Sequence, residues 1–436
     1  DTINDGQVLT ADIVNIDTLI LENPYNGSFP GSSSFTYGPI SDLTGIEDFS
    51  NLTYLDCSGG NIIDTLDLSQ NLTLTYLNCS GAGWVIQHFR QISSLNISQN
   101  TALSHLICNS TLLSQLDLSQ NPNLTFLNCR DNEPQILDLS HNIGLLNLDC
   151  SHSILNQNLW NSGNPVTHLT NLDLSQNINL TSLNCSGNAL SSLDLSQNIN
   201  LTSLNCSDNQ LQILDLSQNI GLVNLDCGND IWGDFDNTNQ LTNLDLSQNI
   251  NLTSINCYGN SLSNLDLRNG NNTNIGFFNS GNNDSLYCIS VDDSSWATAN
   301  LTIPNQTIFS NNCNNLQYTL IPDSIFEQRL IDLGYDNIHN GQVLTANISS
   351  IDTLILIPPI GGFFVAIPYN TISDFTGIED FINLTYFDCR YNSITTLDLS
   401  NNTLLSFLDC SGFHNGNTSM GQLTNLNINQ NIFLYS

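Results

Sequence analysis

The sequence contains no lysine, and five arginines are its entire basic complement. Forty acidic residues oppose these five, which leaves a formal net charge of -35. Nucleic acid is excluded as a partner, because binding phosphates requires a basic surface that this chain cannot form. Binding to an anionic membrane surface is disfavoured for the same reason. No apolar run reaches the roughly 18 residues of a transmembrane helix, so membrane insertion is not expected either.

Recognisable catalytic motifs are also missing from the sequence. The seven histidines are scattered without H-x-x-x-H spacing, and neither a phosphate-binding glycine loop nor a G-x-S-x-G nucleophile elbow occurs. Aspartate is abundant, but it repeats along a sheet, whereas a glycosidase places two carboxyl groups in one cleft. We therefore expect a protein that is not an enzyme.

The sequence is dominated by one repeated element. From residue 170 it reads LTNLDLSQNIN and then LTSLNCSGNA, and these two half-repeats recur together every 21 residues. Each half follows L-x-x-L-x-L/C-x-x-N, where the Leu and Cys of a short strand face inward and the residue between them points outward. The Asn suits a turn in which its amide bonds free backbone groups of neighbouring coils. The repeat predicts stacked coils that form two parallel sheets.

This pattern resembles the leucine-rich-repeat family, most closely its 21-residue class common in secreted proteins of Bacteroidota. The resemblance covers residues 41–275 and 373–436 and rests on eleven near-copies of LDLSQN. It implies a mostly β solenoid and export, by type IX secretion, to the cell surface or the medium. The near-copies begin at Asp67, Asn96, Asp117, Asp138, Asp173, Asp194, Asp215, Asp245, Asp266, Asp398 and Asn427.

Thirteen cysteines fall into two groups by position. Eleven occupy one slot of successive repeats, where an inward-facing cysteine behaves as a small apolar residue. We interpret these as reduced core residues rather than as metal or redox sites. Cys288 and Cys313 lie outside the repeat, and we predict that they form a disulfide.

A second copy of the unit begins within the chain. DNIHNGQVLTANISSIDTLIL at residue 336 repeats DTINDGQVLTADIVNIDTLIL at residue 1. A short capping helix is therefore expected between tandem units. The predicted division is a partial N-terminal cap at 1–40, a solenoid at 41–275, a disulfide-containing C-terminal cap at 276–320, a capping helix with the second N-terminal cap at 321–372, and the start of a second array at 373–436.

The capping helix is predicted in PDSIFEQRLIDLGYDN. Ser324 suits its N-cap, with Glu327 at the capping-box position and Gly334 as its stop. Its apolar face consists of Phe326, Leu330 and Leu333. Such a helix would cover the open sheet edge of the next array, because a bare solenoid end is an unpaired, aggregation-prone edge.

Three insertions interrupt the first array on the same side, and each carries one tryptophan: Trp84, Trp160 and Trp232. Loops on one face with one aromatic residue each are typical of a contact surface. The alternative is that each tryptophan folds back to cover its own sheet.

The outward position of the LDLSQN strand is Asp in eight of the nine coils of the first array. Carboxylates about 4.8 Å apart repel by roughly 1 kcal/mol per pair in water. Bound Ca²⁺ would relieve this repulsion, although Ser and Asn donors with solvent would also suffice. No cofactor is required. The weak metal candidates are Asp173, Asp194 and Asp215.

Two sets of glycosylation candidates follow from short motifs, and we expect covalent glycans. Asp followed by Ser or Thr and an apolar residue resembles the O-glycosylation signal of Bacteroidota, and it marks Thr2, Thr18, Thr65, Ser285, Ser324 and Thr353. N-x-S/T triplets would apply in a eukaryote, although the repeat itself generates many of them. They mark Asn51, Asn71, Asn123, Asn179, Asn200, Asn251, Asn300, Asn305 and Asn383.

Two functional hypotheses remain. The first is a glycosylated extracellular fibre or cell-surface stalk, in which the chain associates with itself end to end or through tandem copies. The second is an adhesin that recognises a glycan or a protein through the tryptophan-bearing insertions.

Overall fold

The structure is a computed structural model with two compact units, residues 1–311 and 312–436. The sequence placed the unit boundary near residue 320. No helix among the described residues has the length and apolar character needed to cross a membrane. The described residues are 10–21, 40–59, 63–81, 92–111, 113–132, 136–152, 168–229, 238–304, 307–313, 316–336, 338–359, 370–414, 419–420 and 423–434.

The regular secondary structure in the described part of the first unit consists mainly of three-residue strands. Its helices are α1 (Thr10–Ile13) and α2 (Ser294–Asn300), with single 3₁₀ turns at Ile46–Asp48 and Asn272–Asn274. The strands are β1 (Thr18–Ile20), β2 (Tyr54–Asp56), β3 (Thr65–Asp67), β4 (Tyr76–Asn78), β5 (Ser94–Asn96), β6 (His105–Ile107), β7 (Phe126–Asn128), β8 (Asn147–Asp149), β9 (Ser182–Asn184), β10 (Ser203–Asn205), β11 (Asn224–Asp226), β12 (Asn243–Asp245), β13 (Ser254–Asn256), β14 (Asn264–Asp266), β15 (Phe277–Asn279), β16 (Cys288–Ser290) and β17 (Ile308–Ser310).

Eleven strands of the first unit form one parallel sheet in the order β1-β2-β4-β6-β7-β8-β9-β10-β11-β13-β15. The strands pair in register, so that Leu204 lies between Leu183 and Leu225. These leucines are at most 2% exposed, because the middle residue of each strand faces the core. The first and third residues of each strand therefore form two rows on the outward face.

The second predicted sheet is regular only in parts of the first unit. The parallel pair β3-β5 and the four-stranded parallel sheet β12-β14-β16-β17 belong to it. Between them, the described LDLSQN segments that start at Asp117, Asp138, Asp173, Asp194 and Asp215 form no strand ladder. Buried Asn side chains bridge successive coils there, as when Asn198 Nδ2 donates to the Leu174 carbonyl at 3.1 Å.

Cysteines occupy the core as the repeat predicts. The nine repeat cysteines of the first array and Cys389 are buried, Cys410 is half-buried, and all eleven are free thiols. Cys288 and Cys313 are disulfide-bonded. Burial raises the pKa of Cys57, Cys108, Cys185 and Cys257 to about 12.

The second unit repeats the beginning of the first behind a helical cap. Its sheets are the antiparallel pairs β18-β19 and β24-β25 and the parallel sheets β20-β21-β23 and β22-β26, and a 3₁₀ turn spans Ile378–Asp380. The elements are β18 (Tyr318–Leu320), α3 (Ser324–Asp332), β19 (Gln342–Leu344), α4 (Thr345–Ile348), β20 (Thr353–Ile355), β21 (Tyr386–Asp388), β22 (Thr396–Asp398), β23 (Phe407–Asp409), β24 (Phe413–His414), β25 (Ser419–Met420) and β26 (Asn425–Asn427).

The capping helix α3 is present, but two predictions about its start are wrong. Its N-cap is Asp323, whose carboxylate accepts from the backbone N–H groups of Ile325 and Phe326. Asp323 replaces Ser324 because its second oxygen also accepts from Ser373 N–H, at 2.8 Å, which fixes it between two segments.

Glu327 is not a capping-box partner. It is 1% exposed, and its carboxylate accepts from the backbone N–H groups of Asn340 and Gly341 instead. Its position one turn into the helix places it beside that loop rather than beside the N-cap.

The end of α3 agrees with the sequence except at one apolar position. Gly334 has φ of 77° and terminates the helix, as predicted, with its N–H donated to the Ile331 carbonyl. Phe326 and Leu330 are fully buried, whereas Leu333 is 46% exposed. Leu333 is the C-cap, where the backbone turns away from the apolar face.

Candidate binding surface

The outward face of the eleven-stranded sheet has an aromatic row at its N-terminal end. Tyr54 and Tyr76 stack with ring centroids 4.1 Å apart and planes 4° apart. His105 follows at 6.1 Å from Tyr76, and Phe126 at 5.8 Å from His105. These side chains hold the first outward row on neighbouring strands, so in-register pairing brings them together.

The same row is polar over the middle of the sheet, with Ser at Ser182, Ser203 and Ser254, and it ends on the exposed Phe277 of β15. Burial, contact with the Tyr54 hydroxyl and the Asp56 charge raise the pKa of Tyr76 to about 12. Sequence reasoning missed this aromatic row. Aligning the half-repeats on the residue before the inward Leu would have shown it, since Tyr, Tyr, His and Phe occupy that position in succession.

A polar depression of about 520 Å³ opens at the other end of this face. Asp226 accepts from Asn256 Nδ2 at 3.0 Å and from Gly228 N–H at 3.1 Å. Tyr258 accepts from Asn282 Nδ2 at 2.5 Å. The lining residues are Ser207, Asp208, Asp226, Gly228, Asn229, Asn256, Tyr258 and Asn279.

Two glycines let the side chains of this depression pack closely. A Cβ at Gly228 would lie 2.9 Å from Asn256 Nδ2, and one at Gly281 would lie 3.1 Å from the Tyr258 ring. Asp208 is 7% exposed with φ of 52°, a left-handed backbone that Asp tolerates better than most residues. The depression is therefore built by side chains that their neighbours hold in place.

Among the described residues, the lining carries negative charge and no cation. In the described part of the first unit both arginines are paired, Arg130 with Asp131 at 3.3 Å and Arg268 with Asp266 at 2.5 Å. The depression thus offers carboxylates, amides and hydroxyls to a ligand, and its charge disfavours anions.

Two ladders of buried asparagines hold the coils behind this face. In the first, Asn198 Nδ2 donates to the carbonyls of Leu174 and Asn177. In the second, Asn209 Nδ2 donates to the carbonyls of Cys185 and Cys206, and its Oδ1 accepts from Leu190 N–H. The repeat predicts these asparagine-containing turns, and each one follows a segment whose Leu faces inward.

The chain folds as a leucine-rich-repeat solenoid. Its repeat, its in-register parallel strands and its two asparagine ladders together define this solenoid. No family model and no curated protein matches the sequence.

Solved structures similar to the chain include leucine-rich-repeat proteins of bacteria. The functional domain of InlJ from Listeria monocytogenes, which includes a cysteine ladder, is 28% identical over 92% of this chain and 69% of its own, with a TM-score of 0.48. A leucine-rich-repeat protein of Leptospira interrogans is 16% identical over 90% of this chain and 77% of its own, with a TM-score of 0.42. An internalin of L. monocytogenes is 17% identical over 71% of this chain and 90% of its own, with a TM-score of 0.41.

The outward aspartates have a local structural role. Asp173 Oδ1 accepts from Ser175 N–H at 2.9 Å. The Ser175 backbone and hydroxyl hold the pKa of Asp173 below its usual value, and the opposing repulsion from Asp138 and Asp194 is weaker. Serines two residues on likewise lower the pKa of Asp194 and Asp215. Among the described residues no three His, Cys, Asp or Glu side chains converge to hold a metal ion.

The structure changes the interpretation of one glycosylation candidate. Asn71 is fully buried, and its amide donates to the carbonyls of Ile46 and Phe49, so it cannot carry a glycan in the folded chain. The repeat explains the error, since NLT recurs there for structural reasons.

Other N-linked candidates are exposed, but each amide nitrogen donates to a backbone carbonyl. These are Asn51, Asn123, Asn179, Asn200, Asn251, Asn300 and Asn383. The O-linked candidates Thr18, Thr65, Ser285, Ser324 and Thr353 are all exposed. Thr2, Asn305, Trp84, Trp160 and Trp232 lie outside the described residues.

We expect the buried repeat cysteines to be unreactive toward thiol reagents in the folded protein. A thiol with a pKa of about 12 is about one part in 10⁴ thiolate at pH 8, and the thiolate is the reactive form. Titration with a colorimetric disulfide reagent should detect at most the half-buried Cys410 before unfolding, and all eleven free thiols in guanidinium. Rapid reaction of several thiols in the native state would contradict this burial.

Proposed function

We propose that the chain is a non-enzymatic extracellular scaffold that binds an uncharged glycan in the polar depression of its eleven-stranded sheet. The observation that carries this proposal is the lining of the depression. Asp226, Asn256, Asn279 and Tyr258 offer hydrogen-bonding groups that suit sugar hydroxyls. Sulfated or phosphorylated sugars are disfavoured, because the lining has no cation to pair with them.

The aromatic row serves a different purpose in this proposal. The rings of Tyr54 and Tyr76 each cover one face of the other, which leaves less aromatic surface on which a sugar could lie flat. The row instead stabilises the sheet through cross-strand contacts. Tyr258 lies outside this stack, and its ring faces the depression.

Alanine replacement of two partly exposed tyrosines on this face tests the proposal. Tyr258→Ala removes a lining side chain, and we expect at least a roughly tenfold loss of glycan binding, as for a central contact residue. Tyr76→Ala is the matched control and should retain binding. The measurement uses labelled full-length chain on arrays of immobilised neutral, sialylated and sulfated oligosaccharides, with circular dichroism to verify folding. Binding only to sulfated sugars, or equal losses in both variants, would contradict the proposal.

A second candidate function is a glycosylated structural repeat of a fibre or stalk. It is favoured by the same local structure at the start of both arrays, where Tyr386 and Phe407 stack at 4.2 Å just as Tyr54 and Tyr76 do. Tandem copies of this kind suit a protein extended by repetition.

Electron microscopy of native material, with intact mass, tests the fibre hypothesis. Filaments with one axial repeat per unit and a mass above 47.8 kDa per chain are the expected result. Discrete particles at the unmodified mass would contradict it.

A further inference from the structure

One edge of the first unit carries a row of exposed isoleucines. In five successive coils the residue after the buried asparagine of the first ladder is Ile, and each of these side chains is between 50% and 57% exposed. They are Ile143, Ile178, Ile199, Ile220 and Ile250. Leu146, three residues after the first of them, is 40% exposed. We call these six residues the apolar ridge.

Hydrogen bonds between neighbouring coils make the apolar ridge continuous. The Asn219 amide Nδ2 donates to the Asn198 carbonyl at 2.9 Å, and these two asparagines directly precede Ile220 and Ile199. The same bond joins each of the other ridge coils to the next. Successive isoleucines therefore lie about one strand spacing apart, about 4.8 Å along the solenoid.

The exposure of the apolar ridge follows from the repeat. Its three middle isoleucines lie inside the unbroken described range 168–229. Beside Ile199, the inward positions of the turn are taken by Asn198 and Leu201, both fully buried, so the isoleucine side chain is left on the outside. The insertions of the first array begin in the opposite turn of the coil, after a repeat cysteine.

The turns that carry the apolar ridge contain no acidic residue. They read SHNIGLL, SQNINLT, SQNINLT, SQNIGLV and SQNINLT, at residues 140–146, 175–181, 196–202, 217–223 and 247–253. Their polar side chains are amides, hydroxyls and one histidine. Two copies of a chain with a formal charge of -35 repel each other, and they approach with least repulsion through an uncharged surface.

We propose that the apolar ridge is a self-association surface, which packs against the same ridge of a second copy of this chain. A two-fold contact requires a self-complementary surface. The ridge meets this requirement because both copies have the same spacing, so the isoleucines of one fit between those of the other.

The area of the apolar ridge is sufficient for a weak dimer. Its six side chains expose roughly 500 Å² of apolar surface, at the upper end for one patch on a monomer. Two ridges in contact bury roughly 1,000 Å², and the flanking amide side chains raise this toward the roughly 1,200 Å² at which specific interfaces begin.

The apolar ridge and the polar depression lie at opposite ends of the same strands. In one coil, Ile199 of the ridge precedes β10 (Ser203–Asn205), and Ser207 of the depression follows it. Self-association through the ridge therefore leaves the depression open and does not depend on glycan binding.

Analytical ultracentrifugation of the unaltered chain provides the first test. At about 100 µM, where a weak interface of this size is populated, we expect a species of twice the 47.8 kDa chain mass. Raising the salt concentration from about 0.05 M to about 0.5 M should strengthen the association, because salt screens the repulsion between two acidic chains. Monomers at both salt concentrations, or a dimer that dissociates as salt is raised, would overturn the proposal.

A double substitution in the apolar ridge provides the second test. Ile199→Thr combined with Ile220→Thr removes apolar surface from two ridge positions. Threonine fits this turn, since Thr101 follows the buried Asn100 in the same way. The dissociation constant of the dimer should rise at least about tenfold, because a two-fold contact loses each side chain twice.

A matched double substitution outside the apolar ridge is the control. Ile136 and Ile213 are 79% and 77% exposed, and each directly precedes an inward leucine rather than following a ladder asparagine. Ile136→Thr combined with Ile213→Thr should dimerise like the unaltered chain, and circular dichroism verifies that both variants fold. An unchanged dissociation constant in the ridge variant, or equal losses in the two variants, would overturn the proposal.

Discussion

Replacing Asn209 by alanine is expected to lower the free energy of unfolding by about 3 kcal/mol, because a buried N–H and buried carbonyls lose their partner. Asn209 is fully buried, donates to Cys185 and Cys206 carbonyls at 3.1 and 3.2 Å, and accepts from Leu190 N–H at 3.1 Å. Denaturant unfolding followed by circular dichroism measures the change.

Two other asparagines provide matched comparisons for the effect of Asn209→Ala on the free energy of unfolding. Asn198 is equally buried, but its Oδ1 has no hydrogen-bond partner among the described residues, so Asn198→Ala should cost less, about 2 kcal/mol. Asn200 is exposed and donates one bond, to the Ile178 carbonyl, so Asn200→Ala should cost under about 1 kcal/mol. The reverse order would show that the ladders do not stabilise the coils as described.

Phe326→Ala is expected to destabilise the second unit by about 3 to 5 kcal/mol, the range for emptying a buried phenylalanine site. The ring is fully buried and packs edge-to-face against Phe375 at 5.1 Å. Loss of the ring leaves a cavity between the helix α3 and the turn at residues 373–381. Faster hydrogen exchange at Ile378 and Phe381 would report this loosening directly.

Leu333→Ala is the control for Phe326→Ala, since Leu333 belongs to the same segment but is 46% exposed. It should change the free energy of unfolding by less than about 1 kcal/mol. Equal effects of the two substitutions would mean that packing of the buried Phe326 ring is not what holds the helix in place.

The solenoid could be predicted from the sequence because its determinants are local and repeated. Inward Leu204, buried Cys206 and the bridging Asn209 follow from one 21-residue pattern. The break in the second sheet could not be predicted, because the LDLSQN segments with and without strand pairing have nearly the same sequence. Whether their backbones meet depends on the spacing of whole coils, which no single repeat encodes.

Long-range contacts explain the remaining differences. Asp323 and Ser324 are both good N-caps by sequence, and the choice is made by Ser373, fifty residues away. The depression is likewise assembled from four successive coils. Asp226, Asn256 and Asn279 share the third position of their strands, so the repeat places them in one row but does not predict the depression around them. The sequence left two explanations open for the repeat aspartates, a bound cation or serine donors, and the structure shows the serine two residues on as a donor, as when Ser175 N–H donates to Asp173.

Hydroxyl-radical footprinting of the full chain with and without a neutral oligosaccharide tests the binding proposal most directly. The account predicts protection of Tyr258 by the sugar and unchanged labelling of Tyr54 and Tyr76, whose rings already cover each other. Protection of the stacked tyrosines with Tyr258 unchanged would contradict it and place the binding site at the other end of the sheet.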